Sequence, residues 1–153
     1  MEVAAAFGRR VTRLSGGERE RYAIHLPEAD NEEWRRLRGK QLTVYVEAPP
    51  SERGKLREAA ASGRHGKLAL KVLESGPIVL RGWRVAASSA GGGRERYVIY
   101  LPEAYNDAWR LIHEAGARVN VLIEAEGQGE ARAEPPGPQG PLESRPGAAG
   151  GST

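Results

Sequence analysis

The sequence of 153 residues contains no cysteine, one methionine and one phenylalanine. Without cysteine, the chain cannot form a disulfide, a thiolate zinc site, an iron–sulfur cluster or a cysteine nucleophile. No apolar run approaches the roughly 20 residues that a membrane-spanning helix requires. The opening residues 1–7 are too short and too acidic for a signal peptide. These absences predict a soluble protein of the cytoplasm, with one domain or two very small ones.

Lysine is scarce as well, because 19 of the 23 basic residues are arginine. Arginine makes planar, two-pronged contacts with carboxylates and phosphates. The net charge of +3 is uneven: residues 126–153 carry −2 and residues 1–125 carry +5. This net charge is small against that of typical nucleic-acid-binding proteins. Asparagine and glutamine number three each, a shortage of thermolabile residues that indicates a thermophilic source.

An internal repeat organises the chain. Residues 17–35 read GERERYAIHLPEADNEEWR and residues 92–110 read GGRERYVIYLPEAYNDAWR, identical at 13 of 19 positions. The match resumes at VYVEA (44–48) and VLIEA (121–125). We therefore divide the chain into a first repeat (1–48), a basic insert plus hairpin (49–82), a second repeat (83–126) and a disordered tail (127–153).

Each copy of the repeat predicts a strand, a second strand, a helix and a third strand. Tyr22, Ile24 and Leu26 recur at every second position, which indicates a half-buried strand. A proline then stops the strand and can occupy the first helical turn. Gly39 and Gly116 end the two helices. The first strands are expected near residues 10–14 and 83–87.

The insert between the copies has no counterpart in the repeat. Residues 49–66 predict either a mobile loop or a short helix weakened by Gly54. Residues 67–73 and 78–81 predict a hairpin around a turn at 74–77. The predicted fold class is therefore α+β, mainly β with two short helices.

Motifs of catalysis and metal binding are scarce. Residues 14–19, LSGGER, are similar to the signature loop of ABC-transporter ATPases, but the phosphate-binding G-x-x-x-x-G-K-[ST] that such a loop requires is missing. His25, His65 and His113 have no ligand-type neighbour at metal-binding spacing, and Tyr100 replaces His25 in the second copy. We predict no metal, no cofactor and no enzymatic activity.

Two repeated pairs of residues each have two interpretations. Glu28 and Glu103 either favour a helix N-terminus as caps or form a carboxylate pair across a twofold axis. Trp34 and Trp109 either anchor the core or stack on nucleic-acid bases. Capping and core packing are the interpretations that we prefer.

Arginines concentrate at the predicted hairpin of each copy. Alternation places Arg19 and Arg21 on the polar face of the second strand, and arginines on one face of a two-stranded ribbon fit a major groove or a phosphate track. The competing interpretation is a solvated face with ion pairs to Glu18, Glu20 and Glu95. The candidate nucleic-acid-binding residues are Arg9, Arg10, Arg13, Arg19, Arg21, Arg84, Arg94 and Arg96.

The segment RYVIYLPEAYNDAWRLIHEAGARVNVLIEAEG resembles the SpoVT/AbrB-type swapped-hairpin transcription factors and the MazE-like antidotes. The likeness covers about residues 9–48 and 83–126. It is carried by a hydrophobic–proline step and a glycine turn before the strand, found here at Leu26-Pro27, Leu101-Pro102, Gly17 and Gly92. The hairpin that follows the third strand in that family is displaced here beyond the insert.

The resemblance implies a barrel of two halves that exchange hairpins. Both halves lie on one chain here, so the expected assembly is a pseudo-twofold dimer within a monomer, or a homodimer. The implied function is DNA binding in transcription regulation, through arginine-bearing hairpins. A protein-interaction module (antidote or scaffold) and RNA or ribosome binding are the alternatives.

Overall fold

The structure, a computed structural model, describes residues 3–15, 17–89 and 94–126, so the predicted disordered tail lies outside it. The described residues form a mixed α+β fold. Its strands are β1 (Val3–Arg13), β2 (Tyr22–His25), β3 (Leu42–Glu47), β4 (Ile78–Trp83), β5 (Ala86–Ser89), β6 (Glu95–Tyr100) and β7 (Arg118–Ala125). Its helices are α1 (Asn31–Leu37), α2 (Arg53–Ala60), α3 (Arg64–Glu74) and α4 (Asn106–Ala115).

The strands form one curled antiparallel sheet in the order β4-β3-β7-β1-β2-β6-β5. Strand β1 contributes to both halves of it, because Ala6 lies opposite Val121 of β7 whereas Val11 lies opposite Ile24 of β2. Strands β4 and β5 likewise belong to different halves of the sheet, since β4 pairs with β3 and β5 pairs with β6. The inner faces of both halves contribute to a single hydrophobic core.

Two strand pairs at the middle of the sheet join the copies of the repeat through matching residues. Between β2 and β6, Ile24 lies opposite Ile99, which occupies the same position in the other copy. Between β3 and β7, Tyr45 lies opposite Leu122, the second residue of VYVEA opposite the second of VLIEA. Neither match follows from local sequence pattern, because each depends on how the copies pair.

Two glycines accommodate irregularities of the sheet. The β1–β7 and β3–β4 pairings each shift register once. Gly8 at the first shift and Gly82 at the second have φ angles of +64° and +66°. Only glycine adopts this conformation without steric cost, and a bulge of this kind bends the strand that contains it.

Trp34 of α1 and Trp109 of α4 are completely buried, which confirms that both anchor the core. The indole Nε1 of each donates a hydrogen bond of 2.9 Å to a backbone carbonyl, that of Pro27 or Pro102. Because these prolines follow β2 and β6, the bonds fix each helix to the strand before it. The indole nitrogen is thereby satisfied without solvent.

The helices of the repeat end at the predicted glycines. Gly116 follows α4 with a φ of +66°, the left-handed C-terminal conformation, and Gly39 follows α1 with a φ of +86°. Each helix begins later than expected, because a short 3-10 turn, Glu28–Asp30 or Glu103–Tyr105, separates the proline from it.

The insert confirms one sequence prediction and corrects two others. The short-helix interpretation of 49–66 is confirmed by α2, which contains Gly54. The predicted hairpin arm at 67–73 is wrong, because these residues lie in α3. The segment KLALKVL is rich in apolar residues, as a strand can be, yet the buried side chains are Ala69 and Leu73, one helical turn apart. The fold therefore has four helices rather than two.

The first strand of each copy also differs from its prediction. Residues 83–87 are divided between the end of β4 and the start of β5. Strand β1 begins at Val3, well before residue 10. The other predicted hairpin arm, 78–81, is a strand, but it lies in β4 and pairs with β3 rather than with 67–73. Helices α2 and α3 pack against α4, so the insert covers the helix of the second copy.

Candidate nucleic-acid interface

The first site that joins the two copies centres on Glu20. Arg110 of α4 donates two hydrogen bonds to this carboxylate, at 2.5 and 2.7 Å, and the Tyr22 hydroxyl donates a third at 2.5 Å. Hydrogen bonding by Arg110 lowers the pKa of Glu20 to about 2. Burial, together with the bond to Glu20, raises the pKa of Tyr22 to about 12. The Asn106 amide also donates to the Glu20 carbonyl oxygen at 2.8 Å.

The equivalent residues of the other copy form the same arrangement around Glu95. Arg35 of α1 donates to its carboxylate at 2.5 and 3.2 Å, and the Tyr97 hydroxyl donates to it as well. Hydrogen bonds from Arg35 and Tyr97 lower the pKa of Glu95 to about 2. Asn31 donates to the Glu95 carbonyl oxygen at 2.8 Å. Identity between the copies is therefore concentrated where each copy contacts the other.

Glu28 and Glu103 bind arginines of the opposite copy rather than cap their helices. Glu28 accepts hydrogen bonds from Arg94 at 2.9 Å and from Arg96 at 2.8 Å, and Glu103 accepts one from Arg19 at 2.9 Å. Neither glutamate makes the capping hydrogen bond that we expected. One interpretation of the sequence paired these three arginines with the hairpin glutamates. They instead bind Glu28 and Glu103, because each hairpin lies against the helical turn of the other copy.

Ion pairing does not bury these three arginines. The side chains of Arg19 and Arg94 remain 77% and 63% exposed, and that of Arg96 remains 41% exposed. Ion pairs in such exposed positions contribute about 0–1 kcal/mol. A phosphate group could therefore replace either glutamate at little cost in stability.

A second group of arginines lies on the outer surface of the half-sheet β1–β2–β6–β5. Opposing residues of an antiparallel pair share a face, as do alternate residues of one strand. We call this surface the hairpin face. Its members are Arg10, Thr12, Arg21, Ala23, His25, Ala86, Ser88, Arg96, Val98 and Tyr100.

The hairpin face is apolar at its centre and basic at its margins. Ala23 and Val98 occupy the centre and are buried. Arg10 and Arg21 are exposed, and among the described residues neither has a hydrogen-bond or ion-pair partner for its side chain. Two guanidinium groups of the face are thus free to accept an anionic ligand.

His25 lies among these cations. Burial lowers its pKa, and the charges of Arg96 and Arg9 lower it further. Arg9 also donates from Nε to the His25 carbonyl oxygen at 3.0 Å. His25 is therefore neutral at pH 7, and the positive charge of the face comes from its arginines.

The remaining candidates lie elsewhere. Arg13, at the end of β1, lies close enough to Glu20 to lower its pKa. Arg84 donates to the Gly39 carbonyl oxygen at 2.8 Å, at the end of α1. Since β2 and β6 are antiparallel, the two hairpin tips lie at opposite ends of the sheet. The eight arginines predicted as one site therefore do not form one: three lie on the hairpin face, Arg19 and Arg94 bind glutamates of the opposite copy, and Arg9, Arg13 and Arg84 lie apart.

Sequence reasoning missed Arg35 and Arg110, which hold the two hairpin glutamates. A signal for them exists in the sequence. The two arginines occupy the same position of the repeat, at the end of the segment that the copies share. If the shared residues are taken as contacts between the copies, the arginine at the end of one segment is expected to bind the glutamate near the start of the other.

Other site types find little support in the part of the chain that the structure describes. It contains no group of three histidine, aspartate or glutamate side chains placed to hold a metal ion. A polar cleft of about 610 Å³ lies beside α1, lined by Ala29, Asp30, Glu32, Glu33 and Arg36. Arg36 is paired with Glu33 there at 3.3 Å.

Comparison with protein-family models, curated proteins and solved structures finds no match to this chain. Within 3–15, 17–89 and 94–126, every helix is too short or too polar to cross a membrane. The functional argument therefore rests on the geometry of the hairpin face.

Proposed function

We propose that the chain is a non-catalytic DNA-binding protein that contacts phosphates through the hairpin face. The observation that carries this proposal is the pair of exposed arginines, Arg10 and Arg21, whose side chains have no partner among the described residues. Arginine supplies the planar donors that phosphate oxygens accept.

We also propose that the two copies form a pseudo-twofold barrel of the swapped-hairpin type. The pairing of Ile24 with Ile99 and of Tyr45 with Leu122 supports this, as do the similar φ angles of Gly8 and Gly82. In this interpretation β4 and β5 together correspond to β1. The second repeat then begins near residue 78 rather than at residue 83.

Under the proposed symmetry, each arginine of the hairpin face has a counterpart in the other copy. Arg21 corresponds to Arg96, and Arg10 corresponds to Arg84 when β1 is aligned with β4 at the two glycine bulges. The second copy's arginines are each bonded, to Glu28 and to a backbone carbonyl, whereas those of the first copy have no side-chain partner within the part of the chain that the structure describes. We expect DNA to contact Arg10 and Arg21 first and to displace Glu28 from Arg96 as it extends along the face.

A salt titration tests the proposal. Each phosphate contact that is lost reduces the slope of log affinity against log salt by about 0.9 for duplex DNA. We expect the double variant Arg10→Ala/Arg21→Ala to bind labelled mixed-sequence duplex more weakly, with a slope reduced by about twice that amount. Fluorescence anisotropy at several salt concentrations measures both quantities.

The matched control is Arg36→Ala/Arg57→Ala, which removes the same charge from exposed positions on α1 and α2. It should leave the slope unchanged. A wild-type chain that binds neither DNA nor RNA, or a hairpin-face variant with an unchanged slope, contradicts the proposal. Preference for single-stranded RNA over duplex DNA would support the RNA alternative instead.

A protein-interaction module is the second candidate function, and the insert favours it. Leu68 and Val72, one turn apart on α3, are 57% and 41% exposed, with Lys67 and Lys71 beside them in the sequence. An apolar stripe of this kind suits a partner helix. The double variant Leu68→Ser/Val72→Ser tests it, because it should leave DNA affinity unchanged and abolish any protein complex that depends on α3.

A further inference from the structure

The two copies of the repeat differ at the centre of the hairpin face. Residues 21–26 read RYAIHL and residues 96–101 read RYVIYL, so the two segments differ only at Ala23/Val98 and His25/Tyr100. Both differences lie on the outer side of the sheet. The residues of the inner side pack in the core and are the same in both copies. Because Ala23 and Val98 are buried, His25 and Tyr100 are the difference that a ligand can reach.

His25 and Tyr100 lie on opposite sides of a local twofold axis. Ile24 lies opposite Ile99, and in an antiparallel pair such an axis passes between two opposing residues, normal to the sheet. His25 follows Ile24 on one strand and Tyr100 follows Ile99 on the other, which places them about 7 Å apart along the strands at a rise of roughly 3.4 Å per residue. That distance spans about two base-pair steps of duplex DNA, each roughly 3.4 Å.

The backbone of each residue is fixed, while its side chain makes no hydrogen bond within the described part of the chain. The carbonyl oxygen of His25 accepts a hydrogen bond from Arg9 Nε at 3.0 Å, and that of Tyr100 accepts one from the indole Nε1 of Trp83 at 2.7 Å. Tyr100 is 38% exposed, and His25 is half-buried. Both residues are thus positioned by the sheet, with side chains that can contact a ligand.

The basic margins of the face, in contrast, are the same in both copies. Arg21 and Arg96 lie three residues before Ile24 and Ile99, at opposite ends of the strand pair. Arg21 has no side-chain partner within residues 3–15, 17–89 and 94–126, so an ion pair there does not explain the identity. Contacts to phosphate position a protein on DNA, whereas contacts to base edges select the sequence. Equal margins and unequal centres therefore fit the same phosphate geometry on both sides of the axis and a different base pair on each side.

We propose that the hairpin face recognises a duplex DNA site whose two halves differ in sequence, with His25 and Tyr100 as the specificity-determining residues. This proposal rests on the DNA binding proposed above. A dimer of identical chains presents the same residues to both halves of a palindromic site. Two copies on one chain can instead present a different residue to each half.

The chemistry of the two side chains assigns a base to each. A two-stranded ribbon fits the major groove, where guanine presents the acceptors N7 and O6 and thymine presents a methyl group. The imidazole of His25, which burial and the neighbouring arginines keep neutral at pH 7, has one N–H donor and suits guanine. The ring of Tyr100 has a large apolar surface and suits the thymine methyl group. We therefore expect guanine at the position of His25 and thymine at that of Tyr100, on either side of the centre of the site.

Selection from a duplex library with a randomised centre, at fixed salt and with the full chain, tests the proposal. The wild type should select a site that is not its own reverse complement, with different base pairs on the two sides of its centre. His25→Tyr should select an inverted repeat of the half that Tyr100 contacts, and Tyr100→His should select an inverted repeat of the other half. Each variant should also bind the wild-type site more weakly by about fivefold or more.

Tyr105→His is the matched control for Tyr100→His. Tyr105 is 40% exposed and lies in the 3-10 turn before α4, away from the hairpin face. This variant should select the wild-type site. Thermal unfolding checks that each variant folds, and the His25→Tyr and Tyr100→His variants test the same proposal from opposite copies.

The outcomes separate this proposal from the one on which it rests. A wild type that binds no duplex contradicts both. A wild type that binds duplex with a steep salt dependence but selects an inverted repeat, or no sequence at all, overturns asymmetric recognition and leaves the phosphate contacts standing. An asymmetric site that both His25→Tyr and Tyr100→His still select overturns the assignment of these two residues.

Discussion

Glu20 accepts two hydrogen bonds from the guanidinium of Arg110, at 2.5 and 2.7 Å, although 90 residues separate them along the chain. The corresponding bond pair joins Glu95 to Arg35. Two-pronged pairs between arginine and carboxylate are stronger and more specific in geometry than single contacts. The helix of each copy is thus tied to the hairpin of the other at two equivalent places.

These contacts make stability depend on pH in the acid range. Glu20 and Glu95 have pKa values of about 2 in the folded chain, below the roughly 4.3 of an unfolded glutamate. Between these values the unfolded chain binds more protons, so acid favours unfolding. We expect the contribution of both residues to be complete above about pH 5 and to be lost progressively towards about pH 2. Thermal unfolding at stepwise lower pH measures this loss.

The variants Glu20→Gln and Glu95→Gln assign that pH dependence. Each should melt lower than the wild type at pH 7 and lose less stability between pH 5 and pH 2. Glu58→Gln, on the exposed side of α2, is the matched control and should follow the wild type. Full acid sensitivity in the two variants would mean that other carboxylates are responsible.

Local signals in the sequence predicted the elements of the repeat, whereas contacts between distant segments could not be predicted. The alternation at Tyr22 and Ile24 and the stop at Gly39 are properties of neighbouring residues. The partner of Glu28 depends on how two segments 66 residues apart pack. The sequence shows that a glutamate can bind a cation, but it does not show which of the 19 arginines is its partner.

The candidate site shows the same difference between local signals, which the sequence contains, and tertiary contacts, which it does not. Alternation correctly placed Arg21 on the polar side of the sheet, because period two is a local property. It could not separate Arg21, which has no partner among the described residues, from Arg19, which binds Glu103. Whether an arginine is free is decided by tertiary packing.

The two buried tryptophans should contribute comparably to stability. Trp34→Ala and Trp109→Ala each empty a fully buried site and remove an indole hydrogen bond, so we expect losses of about 3–5 kcal/mol. Trp83→Ala is the control, since Trp83 is only partly buried and should cost less. Urea unfolding measures all three. A loss below about 1 kcal/mol at either buried site would contradict its place in the core.

Gly8 and Gly82 test whether the two bulges are equivalent. Both have positive φ angles, and a Cβ atom at either position would meet no atom closer than 4.0 Å. Replacement by alanine should therefore cost only the backbone strain of a left-handed residue, about 1–2 kcal/mol at each site. Equal losses in urea unfolding support equivalence. A neutral effect at one site would show that its bulge can rearrange.

Gly66 should resist substitution for a different reason, the close approach of α3 to the end of α2. A Cβ atom there would lie 2.9 Å from Cα and 3.0 Å from the carbonyl oxygen of Ala60. Both are backbone atoms, so Gly66→Ala must push the helices apart, at a cost of about 1–3 kcal/mol.

Gly54→Ala is the matched control for Gly66→Ala. Gly54 lies inside α2, and a Cβ atom there would meet nothing within 4 Å. Alanine is a better helix former than glycine, so this variant should gain about 0.5–1 kcal/mol. Opposite signs in urea unfolding indicate that the α2–α3 contact, rather than helix propensity, requires glycine at residue 66. A gain at both positions would mean that the two helices separate freely and that the insert is not packed as the structure describes.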